Sequence, residues 1–175
     1  MLAAVAEYVD SPREITYFRP VMRLVVQRVK RASVTVFDNE HPGGKPTGAI
    51  GRGLVVLAGF RDGDRMESAS KLARKLVELR IFEDDAGKMN RSVAEIKGGL
   101  LIVSQFTLYG DTRKGRRPSF TGAMPPEAAE AMYRRFVQLL EGSGLSVATG
   151  EFGAKMEVEI VNDGPVTFIL EDELS

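Results

Sequence analysis

The sequence contains no cysteine and only one histidine, and these two scarcities remove several kinds of active site. Without cysteine there is no disulfide, no thiolate nucleophile and no cysteine-ligated zinc. The single histidine, His41, lies in a segment rich in proline and glycine, residues 41–46, which predicts a solvated loop. We therefore expect His41 to be an ordinary loop residue and not the base of a Ser-His-Asp triad.

Net charge and long apolar segments are also lacking. The 175 residues include 24 Lys and Arg and 24 Asp and Glu, so the formal net charge is zero. Proteins that coat nucleic acid usually carry a basic excess, so any RNA contact must come from a local patch, and no DNA partner is expected. No apolar run approaches the roughly 18 residues of a membrane-spanning helix, so no membrane contact is expected. We expect a soluble, cytoplasmic protein that uses no metal and no other cofactor.

The first 21 residues differ from the remainder of the chain. Their apolar stretch, residues 2–6, is too short for a secretory signal and has no charge before it. Pro12 and Pro20 interrupt any regular element, and a strong strand pattern begins only after Met22. We expect residues 1–21 to be an N-terminal extension, disordered or not native, ahead of a single domain of residues 22–175.

Hydrophobic periodicity in that domain predicts more strands than helices. The expected strands are residues 23–30, 33–38, 54–58, 100–103, 145–147, 156–160 and 166–170, with an extended segment from Ile81 and a hairpin connection over 39–49. The expected helices run from a cap at Asp64 to Leu79, and from Pro126 to Leu140. Because the helices are spaced as connections between strands, the fold class is α/β, with one or two mixed sheets.

A polar sequence follows one of the buried strands. Residues 104–108 read Ser-Gln-Phe-Thr-Leu and come directly after the apolar run 100–103. Ligands in open α/β sheets usually lie at the carboxyl ends of strands, so Ser104, Gln105 and Thr107 are candidates for a site. The alternative is that these side chains only cap the strand and bond to loop backbone.

A second motif, residues 161–167, reads Val-Asn-Asp-Gly-Pro-Val-Thr. Asp-Gly between two strands is a strong hairpin signal, so one interpretation is a plain β-turn. Pro165 favours more than a turn, because it offers no N–H to a strand ladder and its peptide bond adopts the cis form at small cost. A rigid Gly164-Pro165 tip would present two carbonyl oxygens in a fixed direction, which suits an ammonium group.

A cationic loop follows the first motif. Arg113, Lys114, Arg116 and Arg117 occupy four of five positions, and Tyr109 and Phe120 flank them. Such a loop beside a site is suited to holding phosphates. The alternative is a merely solvated run of charges.

Together these segments resemble the bacterial and eukaryotic D-aminoacyl-tRNA deacylase family, also called D-tyrosyl-tRNA deacylases. The matching segments are residues 22–23, 27–29, 48–51, 53–54, 80–82, 88–90, 104–115, 117–120 and 162–167. The extension 1–21 and a longer loop at 41–47 depart from the family pattern, and neither touches the motifs. The matching segments therefore span residues 22 to 170, almost the whole chain.

The resemblance implies a three-layer α/β/β fold and an obligate homodimer with its active site at the dimer interface. Ser104, Gln105, Phe106 and Thr107 of one subunit would form the catalytic side, facing the Gly164-Pro165 tip of the other. In the family that bond is cis, and an arginine matching Arg28 helps to hold it. The carbonyls of the tip would hold the α-amino group and the tip would exclude L side chains, with Thr167 also lining the pocket from the partner.

The implied activity is hydrolysis of the ester bond at the tRNA 3′ end, which releases a free D-amino acid and tRNA. D-aminoacyl-tRNA and also mischarged glycyl-tRNA are the expected substrates, and the role is chiral proofreading in translation quality control. No base lies near enough in the sequence pattern to activate Thr107. Backbone N–H groups near Phe106 and Thr107 are therefore expected to stabilise the oxyanion, while the 2′-OH of the terminal adenosine helps to activate water.

Three other functions remain open at this point. One is a non-catalytic RNA-binding module that uses the cationic loop, and another is a purely structural dimer. The third is the activity of an animal relative that edits an L-amino acid with a trans tip. The unmodified string of residues 164–167, Gly-Pro-Val-Thr, favours the D-specific branch.

Overall fold

A computed structural model describes residues 22–172 of the chain. The N-terminal extension expected over residues 1–21 lies outside the described residues. The described chain forms the elements β1 Arg23–Val36, β2 Lys45–Ile50, β3 Gly53–Gly59, α1 Met66–Glu78, β4 Phe82–Glu83, β5 Met89–Arg91, β6 Gly99–Ser104, a 3-10 helix Phe106–Tyr109, α2 Pro126–Glu141, β7 Val147–Thr149 and β8 Met156–Glu171. No helix among residues 22–172 is long and apolar enough to cross a membrane.

Two long strands replace four expected short ones. The prediction of separate strands at 23–30 and 33–38 is wrong, because Arg31 and Ala32 keep pairing with β8 and make β1 continuous. Likewise the segments 156–160 and 166–170 belong to the single strand β8. Both halves of β8 pair antiparallel with β1, so the hairpin interpretation of the second motif is also wrong.

The main sheet is mixed, as expected, and nearly closes on itself. Its order is β2-β1-β3-β6-β7, with β8 paired along β1, and the β3–β6 and β6–β7 pairs are parallel. The first half of β1 pairs with β3 and the second half with β2. β2 approaches β7 so closely that a Cβ on Gly48 would lie 2.6 Å from the carbonyl oxygen of Thr149. The curled sheet thus encloses a core of its own, formed by Val29, Val34, Val55, Leu101 and Val103 among others.

The two helices cover the outer side of this sheet. Leu72 and Leu76 of α1 and Phe136 and Leu140 of α2 are buried in the larger core, together with alternate residues of β1, β3 and β6. Alternation on the strands divides their side chains between the two cores. The helices lie against a sheet that curls back on itself, which gives the α/β/β layers. The predicted fold class is therefore confirmed.

The start of α1 differs from the expected cap. Arg65 and not Asp64 holds the N-cap position, without a side-chain hydrogen bond. Asp64 Oδ2 instead accepts the backbone N–H of Arg61 at 2.7 Å in the preceding turn. The other carboxylate oxygen is buried with no hydrogen bond, and burial raises the pKa of Asp64 to about 6. At α2, Pro126 occupies the first turn as predicted.

Candidate active site

A cleft of about 550 Å³ opens at the carboxyl end of β6. Ser104, Gln105 and Phe106 of the first motif line one side of it. The opposite side is formed by the start of α2 and by the segment before β8, including Ala129 and Phe152. This position agrees with the tendency of ligands to bind at the carboxyl ends of strands in α/β sheets. Thr107, the remaining polar residue of the motif, does not line the cleft.

Backbone pairing fixes the first motif. Ser104 is the last residue of β6 to pair with β3, and the N–H of Gln105 donates to the carbonyl of Ala58 at 2.8 Å. The chain then turns into the 3-10 helix that starts at Phe106. The first N–H groups of such a helix have no acceptor within it, so those of Phe106 and Thr107 are available to a ligand.

An aromatic pair forms the open rim of the cleft. The rings of Phe106 and Phe120 meet edge to face, with centroids 5.1 Å apart. Both side chains are unusually exposed for large apolar residues: Phe106 is 58% exposed and Phe120 is 38% exposed. Exposed aromatic rings beside a cleft offer stacking surface for a planar ligand such as a nucleobase.

The hydroxyl of Thr107 has no basic partner among residues 22–172. Its Oγ1 accepts a hydrogen bond from Gln105 Nε2 at 2.5 Å. His41 lies in the loop before β2, where its Nδ1 is 2.9 Å from Asp38 Oδ1, and it does not line the cleft. Among residues 22–172 no group of His, Asp or Glu could hold a metal ion. The arrangement therefore offers hydrogen-bond donors and shape but no activated side-chain nucleophile.

The second motif forms a protrusion from β8. Gln27 pairs with Thr167 and Val29 pairs with Asn162, so residues 163–166 all stand opposite the single residue Arg28. The Gly164–Pro165 bond is cis, and both residues are exposed. Gly164 has φ +146°, and a Cβ there would lie 2.5 Å from the Val166 side chain, so only glycine fits. We call residues 163–166 the tip.

Arg28 holds the tip through contacts with Asp163. It is 4% exposed; its Nε donates to the carbonyl of Asp163 at 2.9 Å and its Nη1 to the carbonyl of Ile81 at 2.6 Å. The carboxylates of Asp163 and Glu83 lie 3.4 and 3.7 Å away and balance the buried charge. The planar guanidinium thus ties the tip to the segment just before β4.

Asn162 is a second support, to which sequence reasoning assigned no role. Its Oδ1 accepts the N–H of Val166 at 2.8 Å, and its Nδ2 donates to the carbonyl of Val166 at 3.2 Å. Thr167 Oγ1 in turn accepts from Gln27 Nε2 at 3.3 Å. The sequence contained a signal for this role, namely an asparagine four residues before the end of an irregular segment. Asn side chains often form hydrogen bonds that close such backbone loops.

The two motifs do not meet within the described chain. Arg28, which faces the tip, pairs with Leu54, and Leu54 pairs with Leu100 at the start of β6. Ser104 is four residues further along β6, and β8 is three strands away from β6. These offsets correspond to about 13 Å along the strands and about 14 Å across them.

The cationic loop lies beside the first motif and is exposed. Arg113 forms a two-pronged ion pair with Asp111, at 2.9 and 2.6 Å, and this pairing holds the pKa of the Asp111 carboxyl well below its usual range. Lys114, Arg116 and Arg117 form no ion pair within the described part of the chain. Three of the four predicted cations are therefore open to an anionic ligand.

Comparison with known proteins gives one consistent family. The family described as D-Tyr-tRNA(Tyr) deacylase matches residues 25–171. A D-aminoacyl-tRNA deacylase of Desulfatibacillum aliphaticivorans is 55% identical over 152 residues, which is 87% of this chain and 100% of that protein. One from Carboxydothermus hydrogenoformans is 56% identical, over 86% of this chain and 99% of its own length.

Solved structures agree on the fold. A structure titled c-Myc DNA Unwinding Element Binding Protein is 45% identical, with a TM-score of 0.77 over 86% of this chain and 98% of its own. A structure described as a probable eukaryotic D-amino acid tRNA deacylase covers 87% of this chain and 100% of its own, with a TM-score of 0.73. At 21% identity that second likeness concerns the fold alone.

Proposed function

The chain belongs to the D-Tyr-tRNA(Tyr) deacylase family and hydrolyses D-aminoacyl-tRNA, and from this premise we propose how its residues bind and cleave the substrate. The observation that carries the proposal is the cleft at the end of β6, lined by the Ser104-Gln105-Phe106 segment. The terminal adenosine of the tRNA enters this cleft. Its base contacts the Phe106 and Phe120 rings, and Ser104 and Gln105 shape the polar side.

Hydrolysis proceeds without a side-chain nucleophile. Water attacks the ester carbonyl, whose oxygen gains negative charge that the N–H groups of Phe106 and Thr107 stabilise. The 2′-OH of the adenosine helps to activate the water, and the ester C–O bond breaks to give the free amino acid and the tRNA 3′ end. The support for this route is the Thr107 hydroxyl, which faces Gln105 and no base.

The working unit is a homodimer whose partner supplies the tip. The register of the sheet separates the tip from the cleft of its own protomer, so a second copy is the natural source of a tip for each cleft. The outer edge of β8 has no partner strand within residues 22–172, and Phe168 and Ile169 next to the tip are 39% and 64% exposed. An unpaired edge with exposed apolar side chains favours association.

The tip selects the D configuration by exclusion. Carbonyl oxygens of Gly164 and Pro165 accept hydrogen bonds from the α-ammonium group, and the rigid tip occupies the space of an L side chain. Arg28 holds the tip in place and Thr167 lines its base. A D side chain points away from the tip, so varied D-aminoacyl-tRNAs are accepted, and glycyl-tRNA, which has no side chain to clash, is accepted as well.

The remaining tRNA contacts are electrostatic. Lys114, Arg116 and Arg117, with Arg113 beside them, lie next to the motif and bind phosphates of the acceptor end. The role that follows is chiral proofreading in translation quality control, in the cytoplasm where charged tRNA is found.

The direct test compares release of tyrosine from D-tyrosyl-tRNA and L-tyrosyl-tRNA by the purified protein. Hydrolysis of the D-ester alone supports the proposal. Binding of both without hydrolysis would identify a non-catalytic RNA-binding module, and hydrolysis of the L-ester would identify an L-editing enzyme. Light scattering at micromolar concentration must return a dimer, and a monomer would refute the shared site.

A further inference from the structure

We propose that a second cleft, on the far side of the 3-10 helix, binds the backbone phosphate that joins the terminal adenosine to the preceding nucleotide. This inference rests on the proposed function, because it assumes that the terminal adenosine occupies the first cleft. The second cleft has a volume of about 400 Å³ and is lined by Arg23, Arg61 and Arg113. Its ligand is thus an RNA phosphodiester, which the substrate brings with it.

The two clefts share the same two walls. Gln105 and Phe106 line the first cleft, while Leu108 and Tyr109 of the same short helix line the second. The facing wall is divided in the same way. Phe120 and Ala123 line the first cleft, and Thr121 and Gly122 line the second. A chain that leaves the first cleft past these shared walls would therefore reach the second cleft next.

The chemistry of the second cleft suits a phosphate. Arg23, Arg61 and Arg113 line it from the start of β1, from just after β3 and from the cationic loop, and arginine binds phosphate through charge-assisted hydrogen bonds. The carboxylate of Asp111 also lines the cleft and is paired with Arg113, so a phosphate would share Arg113 with Asp111. The hydroxyls of Thr112 and Thr121 add neutral donors. A Cβ on Gly122 would meet no atom within 4 Å, so open space adjoins the backbone where a ligand would pass.

Arg23 is held in position before any ligand arrives. Its Nε donates to Glu171 at 2.5 Å and its Nη1 to the carbonyl of Leu108 at 2.9 Å, while the guanidinium lies 5.4 Å from the centre of the Tyr109 ring. The bond to Leu108 connects this arginine directly to the 3-10 helix that separates the clefts. An arginine fixed in this way loses little side-chain entropy on binding.

The experiment uses three D-tyrosyl esters: of adenosine, of the dinucleotide cytidylyl-adenosine and of tRNA. The adenosine ester lacks the phosphodiester in question, and the dinucleotide ester contains it and nothing beyond the preceding nucleotide. Variants Arg113→Gln and Arg61→Gln remove one cation each. Arg134→Gln is the matched control, because Arg134 is also exposed and paired with a carboxylate at 2.6 Å, on α2.

The wild-type protein is expected to show a lower KM for the dinucleotide ester than for the adenosine ester. Each cleft variant should reduce that advantage about tenfold, as expected for one charge-assisted hydrogen bond, and Arg134→Gln should keep it. On tRNA the slope of log KM against log salt should also fall by about 0.7 for each variant. Arg113 lies on an exposed loop, so its variant tests the inference even if Arg61→Gln does not fold.

Equal KM values for the two small esters in the wild type would overturn the inference, as would cleft variants that keep the full advantage. Failure of the proposed function gives a different result, namely that no ester is hydrolysed. In that case calorimetry compares the affinity of the protein for unesterified cytidylyl-adenosine with its affinity for adenosine. Inorganic phosphate serves as the competitor. Loss of the dinucleotide's advantage in the variants supports the phosphate site, and an unchanged advantage refutes it.

Discussion

One side-chain amide, that of Asn162, holds both backbone polar groups of Val166, accepting its N–H at 2.8 Å and donating to its carbonyl at 3.2 Å. The three residues between them include Gly164 and Pro165. Arg28 holds the same segment through the carbonyl of Asp163. Two side chains from different places in the chain thus fix a short piece of backbone in which Gly164 and Pro165 are exposed.

Replacing Asn162 should loosen the tip and weaken discrimination. Asn162→Ala removes both hydrogen bonds, whereas Asn162→Asp keeps an acceptor for the Val166 N–H and loses only the donor. We expect the ratio of kcat/KM for D- over L-tyrosyl-tRNA to fall about thirtyfold in Asn162→Ala and about fivefold in Asn162→Asp, since each lost bond is worth about 1 kcal/mol. Asn90→Ala is the control, because Asn90 also uses its amide in a hydrogen bond, to Asp84. A lower melting temperature with an unchanged ratio would reduce Asn162 to a structural role.

Arg28 should affect selectivity more than rate. Arg28→Lys keeps the charge beside Asp163 and Glu83 but cannot reproduce the fork that reaches two carbonyls, so the tip loses one of its supports. We expect measurable hydrolysis of L-tyrosyl-tRNA by Arg28→Lys and more by Arg28→Ala, with D-tyrosyl-tRNA cleaved at no less than about a tenth of the wild-type rate. Full rejection of the L-ester by both variants, in an intact dimer, would contradict this role.

Thr107 should be dispensable for chemistry. Its hydroxyl bonds to Gln105 and to no base in the described part of the chain. Thr107→Ala is therefore expected to retain kcat within about tenfold of wild type, whereas loss of a true nucleophile costs several orders of magnitude. A tRNA ending in 2′-deoxyadenosine should be cleaved far more slowly by both proteins. Single-turnover rates on the two tRNAs make the comparison. Loss of activity in Thr107→Ala with unchanged substrate binding would restore the nucleophile hypothesis.

Asp64 should make stability depend on pH. Burial raises its pKa in the folded protein to about 6, above its ordinary value of 3.8. The folded state therefore binds the proton more tightly than the unfolded state, and stability falls as the pH rises from about 4 to about 6. Asp64→Asn does not titrate and can still accept the Arg61 N–H. Its free energy of unfolding relative to wild type should thus increase by about 1 kcal/mol between pH 4 and pH 7, after allowance for the partial exposure of the carboxyl.

Urea denaturation at the two pH values, at one protein concentration, measures this difference. The nearby carboxylate of Asp172 adds to the effect, since its charge also raises the pKa of Asp64. If the difference in free energy of unfolding between the two proteins stayed the same from pH 4 to pH 7, the pKa of Asp64 would not be raised in the folded state.

Local patterns were enough to predict the two helices, the buried strands β3 and β6 and the two motifs. The hairpin connection expected over 39–49 is wrong in its second half, because residues 45–50 form β2 and pair with β1. The apolar spacing of residues 66–79 and the run 100–103 report burial directly, so α1 and β6 lie where expected within a few residues. The continuity of β1 and β8 was not predictable, because Arg31 and Asp163 look like breaks until a partner strand is opposite them. Pairing over such sequence distances leaves no local signal.

Within the site, residues close in sequence were predictable and residues brought together by the fold were not. Ser104, Gln105 and Phe106 follow one another and were found together. The second cleft combines Arg23, Arg61 and Arg113, which lie far apart in the sequence. The separation of the tip from the cleft of the same chain also follows only from the registers of β1, β3 and β6.

The shared site is tested most directly by mixing two inactive variants. Ala154→Trp obstructs the cleft and leaves the tip intact, and Gly164→Ala disrupts the tip, where a Cβ would clash with Val166, and leaves the cleft intact. Alone, Ala154→Trp should lack activity toward D-tyrosyl-tRNA because its clefts are blocked. Gly164→Ala should lack it because the displaced tip carbonyls no longer hold the α-ammonium group, a larger change than the loosened tip of the Arg28 variants. After subunit exchange, half of the dimers are mixed and each mixed dimer has one cleft facing one intact tip, so roughly a quarter of wild-type activity should return. If mixed dimers form and no activity returns, the site does not combine a cleft and a tip from two subunits.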